Sequence, residues 1–66
     1  MNGNIWLSRP NGDWGCPVVD VPMAEALEMG RKLAVAFPER EVRVTAVGVP
    51  PWVSGSKNFL VEVVDV

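Results

Sequence analysis

Apolar side chains recur along residues 22–37, PMAEALEMGRKLAVAF, with the spacing of one helical face. At about 100° per residue Met23, Ala26, Leu27, Gly30, Leu33, Ala34 and Phe37 fall together, while Glu25, Glu28, Arg31 and Lys32 fall on the other sides. The start is marked by Asp20 or Val21 as cap and by Pro22, whose missing N–H has no intrahelical acceptor in a first turn. Pro38 is the stop, because its ring pushes Phe37 out of α geometry; about sixteen residues remain, on the order of 24 Å of helix. Glu28 and Lys32 stand in the favourable i,i+4 order. Gly30 is out of character on a buried face, where it costs about 1 kcal/mol relative to Ala. Its presence predicts a bulky group close against the helix backbone, with a tryptophan the best candidate.

The rest of the chain alternates instead. Residues 4–9 place Ile5 and Leu7 on one side and Asn4, Trp6 and Ser8 on the other, as a half-buried strand would. Pro10-Asn11-Gly12-Asp13 is hairpin-turn chemistry, and residues 14–21 form the return strand. Pro17 cannot donate to a ladder, which predicts an edge position or an interruption there. Residues 41–49 are the clearest strand, with Val42, Val44 and Ala46 facing one way and Arg43, Thr45 and Val47 the other. A loop at 50–57 leads to a last strand at 58–66, apolar on both sides. The expected fold is a single α+β domain over residues 1–66, β-β-α-β-β. Right-handed crossover places the first strand between the second and third, giving a four-stranded antiparallel sheet in the order 2-1-3-4 with the helix on one face. The uncovered face would carry Trp6, Arg43, Thr45 and Val47, a mixed surface of the kind used in binding.

Composition sharpens this picture in one respect. A chain of 66 residues that is 48% hydrophobic, with a mean hydropathy of +0.17, has more apolar area than one small core can cover. A single cysteine allows neither an internal disulfide nor a cysteine-based zinc site. Self-association or a partner surface is the remaining cover. A homodimer through the last strand or the adjoining sheet face is expected, since that edge is apolar on both sides, has no proline to block pairing, and carries only Glu62 and Asp65 as charges. A net charge of −2 argues against nucleic-acid and anionic-membrane partners. No apolar run reaches membrane-spanning length and no signal-peptide pattern follows Met1, so a cytoplasmic location is expected.

Candidate chemistry is sparse. Histidine is absent, which removes the commonest general base and the usual partner of a Ser or Cys nucleophile. Cys16 therefore reads as a small half-buried strand residue, and Ser54, Ser56 and Lys57 as ordinary loop polarity. The acids Asp13, Asp20, Glu25, Glu28, Glu39, Glu41, Glu62 and Asp65 show no metal-loop spacing, and no glycine-rich phosphate motif occurs; neither catalysis, metal nor cofactor is expected. The six basic residues split into Arg31 with Lys32, Arg40 with Arg43, and isolated Arg9 and Lys57. Trp6, Arg43 and Lys57 could stack a base and hold a phosphate, an alternative nucleic-acid reading set against ordinary surface charge.

Pro50-Pro51-Trp52 is the best candidate for function. Two prolines stiffen the approach, and Trp52 then serves either as an interface anchor or as a lid folded back over the core. These features together point to a non-enzymatic protein-interaction module, an adaptor or inhibitor of the size common in phage and mobile elements. It would bind a protein partner or itself through Trp52, Pro50, Pro51, Trp6, Arg43 and Lys57.

Overall fold

A computed structural model describes residues 1–53 and, through their backbone pairing, residues 57–58. Helix α1 spans Met23–Ala36, one residue inside the expected span at each end. Pro22 is its cap, with φ −52° and ψ 137°, and no side chain bonds to the open N-terminus. Neither Asp20 nor Val21 takes that place. The preceding strand runs on through Pro22, paired with Asn2, so the chain is still extended where a side-chain cap would have to reach back. The Asp20 carboxylate accepts from the Asn2 amide instead (2.9 Å), and the Met23 N–H donates to the Met1 carbonyl (3.0 Å). At the other end Phe37 leaves helical geometry at φ −126°, ψ 68°, as the residue before a proline should.

The buried line of the helix consists of its smallest residues, Ala26, Gly30 and Ala34, spaced four apart. Met23, Leu27, Leu33 and Phe37 flank that line and pack on the same core. Gly30 therefore belongs to a strip that lets the helix backbone lie close to the layer beneath. The tryptophan expected over it lies elsewhere: Trp6 and Trp14 are on the opposite side of the sheet, and Trp52 is exposed.

Strand β1, Asn2–Ser8, lies between β2, Trp14–Pro22, and β3, Val42–Ala46, and is antiparallel to both. Strands β2 and β3 thus run parallel with β1 between them. Ile5 faces Val44 and Leu7 faces Val42 across the β1–β3 ladder, and these four make the floor of the core under α1. The chain is a small α+β structure, one helix on a three-stranded antiparallel sheet in the order β2-β1-β3. Lys57–Asn58 pair antiparallel with Val44 and Arg43 along the far side of β3. Beyond Asn58, the expected last strand lies outside the described residues.

Edge strand β2 is bulged twice. Gly3 pairs with Val21 and Ile5 with Val18, then Leu7 with Gly15, so each two-residue step of β1 meets three residues of β2. One bulge contains Pro17, where the missing donor is harmless. The other contains Asp20, at φ 57°, whose N–H is taken by the side-chain carbonyl of buried Asn4 at 2.8 Å. That hydrogen bond satisfies the side-chain carbonyl of buried Asn4.

The third strand is shorter than its alternation implied. It ends at Ala46, where Val47 and Gly48 turn the chain; Gly48 adopts φ 88°, and the Val49 N–H closes the turn on the Ala46 carbonyl (3.0 Å). Val47 consequently leaves the sheet face on which it was expected and stands exposed in the turn. The reversal carries the two prolines back over the sheet.

Candidate functional site

The sheet face turned away from α1 is built from Asn4, Trp6, Arg43 and Thr45, with Trp14 beside them. A half-buried indole needs a partner for its N–H. Trp6 Nε1 donates to Thr45 Oγ1 at 2.9 Å, and the Thr45 hydroxyl, 4% exposed, donates to the Val49 carbonyl at 2.7 Å. The relay runs from strand to strand to loop.

Arg43 is the second tie. Its Nε bonds and pairs with the Glu41 carboxylate, Nη1 donates to the Pro51 carbonyl at 2.6 Å, and the guanidinium carbon lies 5.4 Å from the centre of the Trp14 ring. Pro51 is fully buried beneath this arrangement. The lid over the face is therefore Pro51. Its neighbour Trp52 points outward, 68% exposed, at the tip of a turn closed by the Val53 N–H on the Pro50 carbonyl (3.3 Å). Val47 and Val53 are the other exposed apolar side chains of this loop.

Of the six expected binding residues, the structure brings Trp6, Arg43 and Pro51 into one internally bonded layer, leaves Pro50 in the turn that Val53 closes, and sets Trp52 outside. Lys57 stands in register with Val44, one position from Arg43 along the ladder. The Trp6 N–H and two of the Arg43 nitrogens already have partners in Thr45, Glu41 and Pro51.

Sequence reasoning missed a second grouping. Arg40 had been placed with Arg43, yet the two guanidiniums serve different sides of the molecule. Arg40 Nε donates to the Ser8 carbonyl at 2.6 Å and its guanidinium stacks 5.4 Å from the Phe37 ring. That position puts it on a shallow notch of about 260 Å³ shared with Arg9, Leu7, Gly15, Cys16 and Pro17. The available signal was topological: β1 beside β3 brings Ser8 next to Glu41, and their backbones bond at 2.9 Å. Cys16 is half-buried, donates weakly to the Val18 carbonyl (3.4 Å), and burial pushes its thiol pKa up, so at neutral pH it is a protonated thiol.

Among the described residues no group of three or more His, Cys, Asp or Glu side chains is placed to hold a metal ion, and no helix is long and apolar enough to cross a membrane. Comparison with protein-family models, with curated proteins and with solved structures found no match to this chain.

Proposed function

We propose that the chain is a small non-enzymatic interaction module, acting in the cytoplasm as an adaptor or inhibitor, that inserts Trp52 into an apolar pocket of a partner protein. The observation that carries this reading is the contrast between adjacent residues: Pro51 is buried and tied to Arg43, while Trp52 is 68% exposed. Large aromatics dominate interface energetics when they are desolvated at a partner's pocket. Holding the loop in one geometry beforehand reduces the ordering cost of binding. Exposed Val47 and Val53 supply an apolar rim to the same contact. In this reading residues 58–66 continue the pairing begun by Lys57–Asn58 and complete a four-stranded sheet in the order 2-1-3-4.

The test is affinity capture from lysate with the wild-type chain and with Trp52→Ala, each with and without nuclease, followed by sedimentation equilibrium. A protein retained by the wild type, insensitive to nuclease and lost with Trp52→Ala, is the expected result. Recovery of nucleic acid alone, or equal retention by the variant, would overturn it. A wild-type dimer that Trp52→Ala converts to monomer would make a second copy of the chain the partner.

A further inference from the structure

The notch shares no lining residue with the Trp52 loop. It lies where the end of the β1–β2 hairpin meets the segment after α1, and two guanidiniums, Arg9 and Arg40, line it. A chain with a net charge of −2 brings two of its six basic side chains to one small cavity. Two of the neighbouring acids have other partners. Glu41 is paired with Arg43, and Asp13 accepts from the Asn11 amide (3.2 Å). Among the described residues no ion pair joins Arg9 or Arg40 to a carboxylate. Two guanidiniums on one small cavity repel, and a bound anion removes that repulsion.

The geometry is prepared on both sides. Arg40 is fixed by its Nε bond to Ser8 and by the Phe37 ring, which leaves its two terminal nitrogens as the donors available to the cavity. Arg9 lies across Gly15: a Cβ on Gly15 would come within 3.2 Å of Arg9 Nε and Nη2, so the glycine makes room for the guanidinium. Leu7, Cys16 and Pro17 give the notch an otherwise weakly polar wall. A volume of about 260 Å³ is just below the range of roughly 300–1,000 Å³ usual for drug-sized ligands and suits one oxyanion group on a short stem.

We propose that Arg9 and Arg40 form a binding site for a small free oxyanion, a phosphate or carboxylate whose oxygens each take a guanidinium fork. Forked donors match the paired oxygens of both groups, which a lysine ammonium does not. Inorganic phosphate and acetate are the probes, each titrated at constant ionic strength into ¹⁵N-labelled protein while the Arg9 and Arg40 Nε signals and the Gly15 and Cys16 amides are followed. Saturable shifts with either probe are expected, and the probe that saturates identifies the oxyanion. Arg9→Gln is expected to weaken binding about tenfold by removing one charge-assisted fork. Shifts that stay linear for both probes, or saturate equally in Arg9→Gln, would overturn the site.

Cys16 supplies a second readout from within the notch. Its alkylation by anionic iodoacetate, relative to neutral iodoacetamide, is expected to be several-fold more favoured in the wild type than in Arg9→Gln, since the cationic wall concentrates the anionic reagent. Phosphate or acetate at saturation should slow the iodoacetate reaction. A ratio indifferent to Arg9→Gln would overturn the proposal even if Arg40→Gln, which also loses the Ser8 and Phe37 contacts, fails to fold.

Discussion

One sheet carries two covers that work by different physics. Toward α1, the β1–β3 ladder presents Ile5, Leu7, Val42 and Val44, and the helix closes on them with alanine, glycine and larger flanking side chains. Toward the loop, the same ladder presents Asn4, Trp6, Arg43 and Thr45, and the cover is a proline held by hydrogen bonds. The first face is stabilised by removal of apolar area from water, which is non-directional and scales with the area. The second depends on a few directional contacts, each worth about 0.5–3 kcal/mol net. Damage to the first should therefore unfold the chain, and damage to the second should release one loop.

The largest effect is expected at Ile5, fully buried at the centre of the helix-side core. Ile5→Ala should cost about 2–5 kcal/mol, which in a domain this small is much of the total stability. Urea denaturation followed by far-ultraviolet circular dichroism reads it directly. A cost below about 1 kcal/mol would mean that the core collapses around the cavity, and that the helix face is looser than its burial implies.

Gly30→Leu comes next. The substitution places a branched side chain on the line between Ala26 and Ala34, where overpacking typically costs about 1–3 kcal/mol. Leucine's better helix propensity, about 1 kcal/mol, opposes it. A net gain in the denaturation midpoint would show that the helix can lift away from the sheet without loss.

Arg43→Met separates the two covers. Methionine keeps much of the stem but removes the Glu41 pair, the Pro51 carbonyl bond and the cation above Trp14, for about 1–2 kcal/mol overall. The prediction that distinguishes the faces is local. Amide exchange at Val49 and Val53 should accelerate well beyond that of the α1 amides, because only the loop loses its tie. Equal acceleration in both regions would show that the loop and the core unfold as one unit.

The helix face was legible in the sequence because burial there follows a period. Every residue assigned to the stripe from Met23 to Phe37 packs on the core, and the valines of β3 face it as their alternation required. The second face was legible only as a set of residues. Periodicity places Trp6, Arg43 and Thr45 on one side of a sheet but is silent on which acceptors they find. The acceptors are backbone carbonyls of Val49 and Pro51, delivered by a turn that ends β3 early. Gly48 was the local signal for that turn, read instead as part of the strand because valines stand on either side of it. The Arg9–Arg40 notch was hidden for a related reason: the two residues are distant in sequence, and only the β1–β3 register brings them together.

The smallest expected effect sharpens the comparison most, because it concerns neighbours in the loop. By size alone, truncating Trp52 should cost far more than truncating Pro51. By burial the order is reversed. Trp52→Ala removes a side chain that is 68% exposed and should change stability by no more than about 0.5 kcal/mol. Pro51→Ala removes a ring that is fully buried over the sheet and also frees the backbone of the unfolded chain, so it should be the more destabilising of the two, at about 1 kcal/mol. Denaturant midpoints of the two variants, measured side by side, give the sign of the difference. If Trp52→Ala is the less stable protein, the indole spends its time against the body of the domain. The loop would then be a lid with the tryptophan as its seal, and the interaction site would have to be sought elsewhere on the surface.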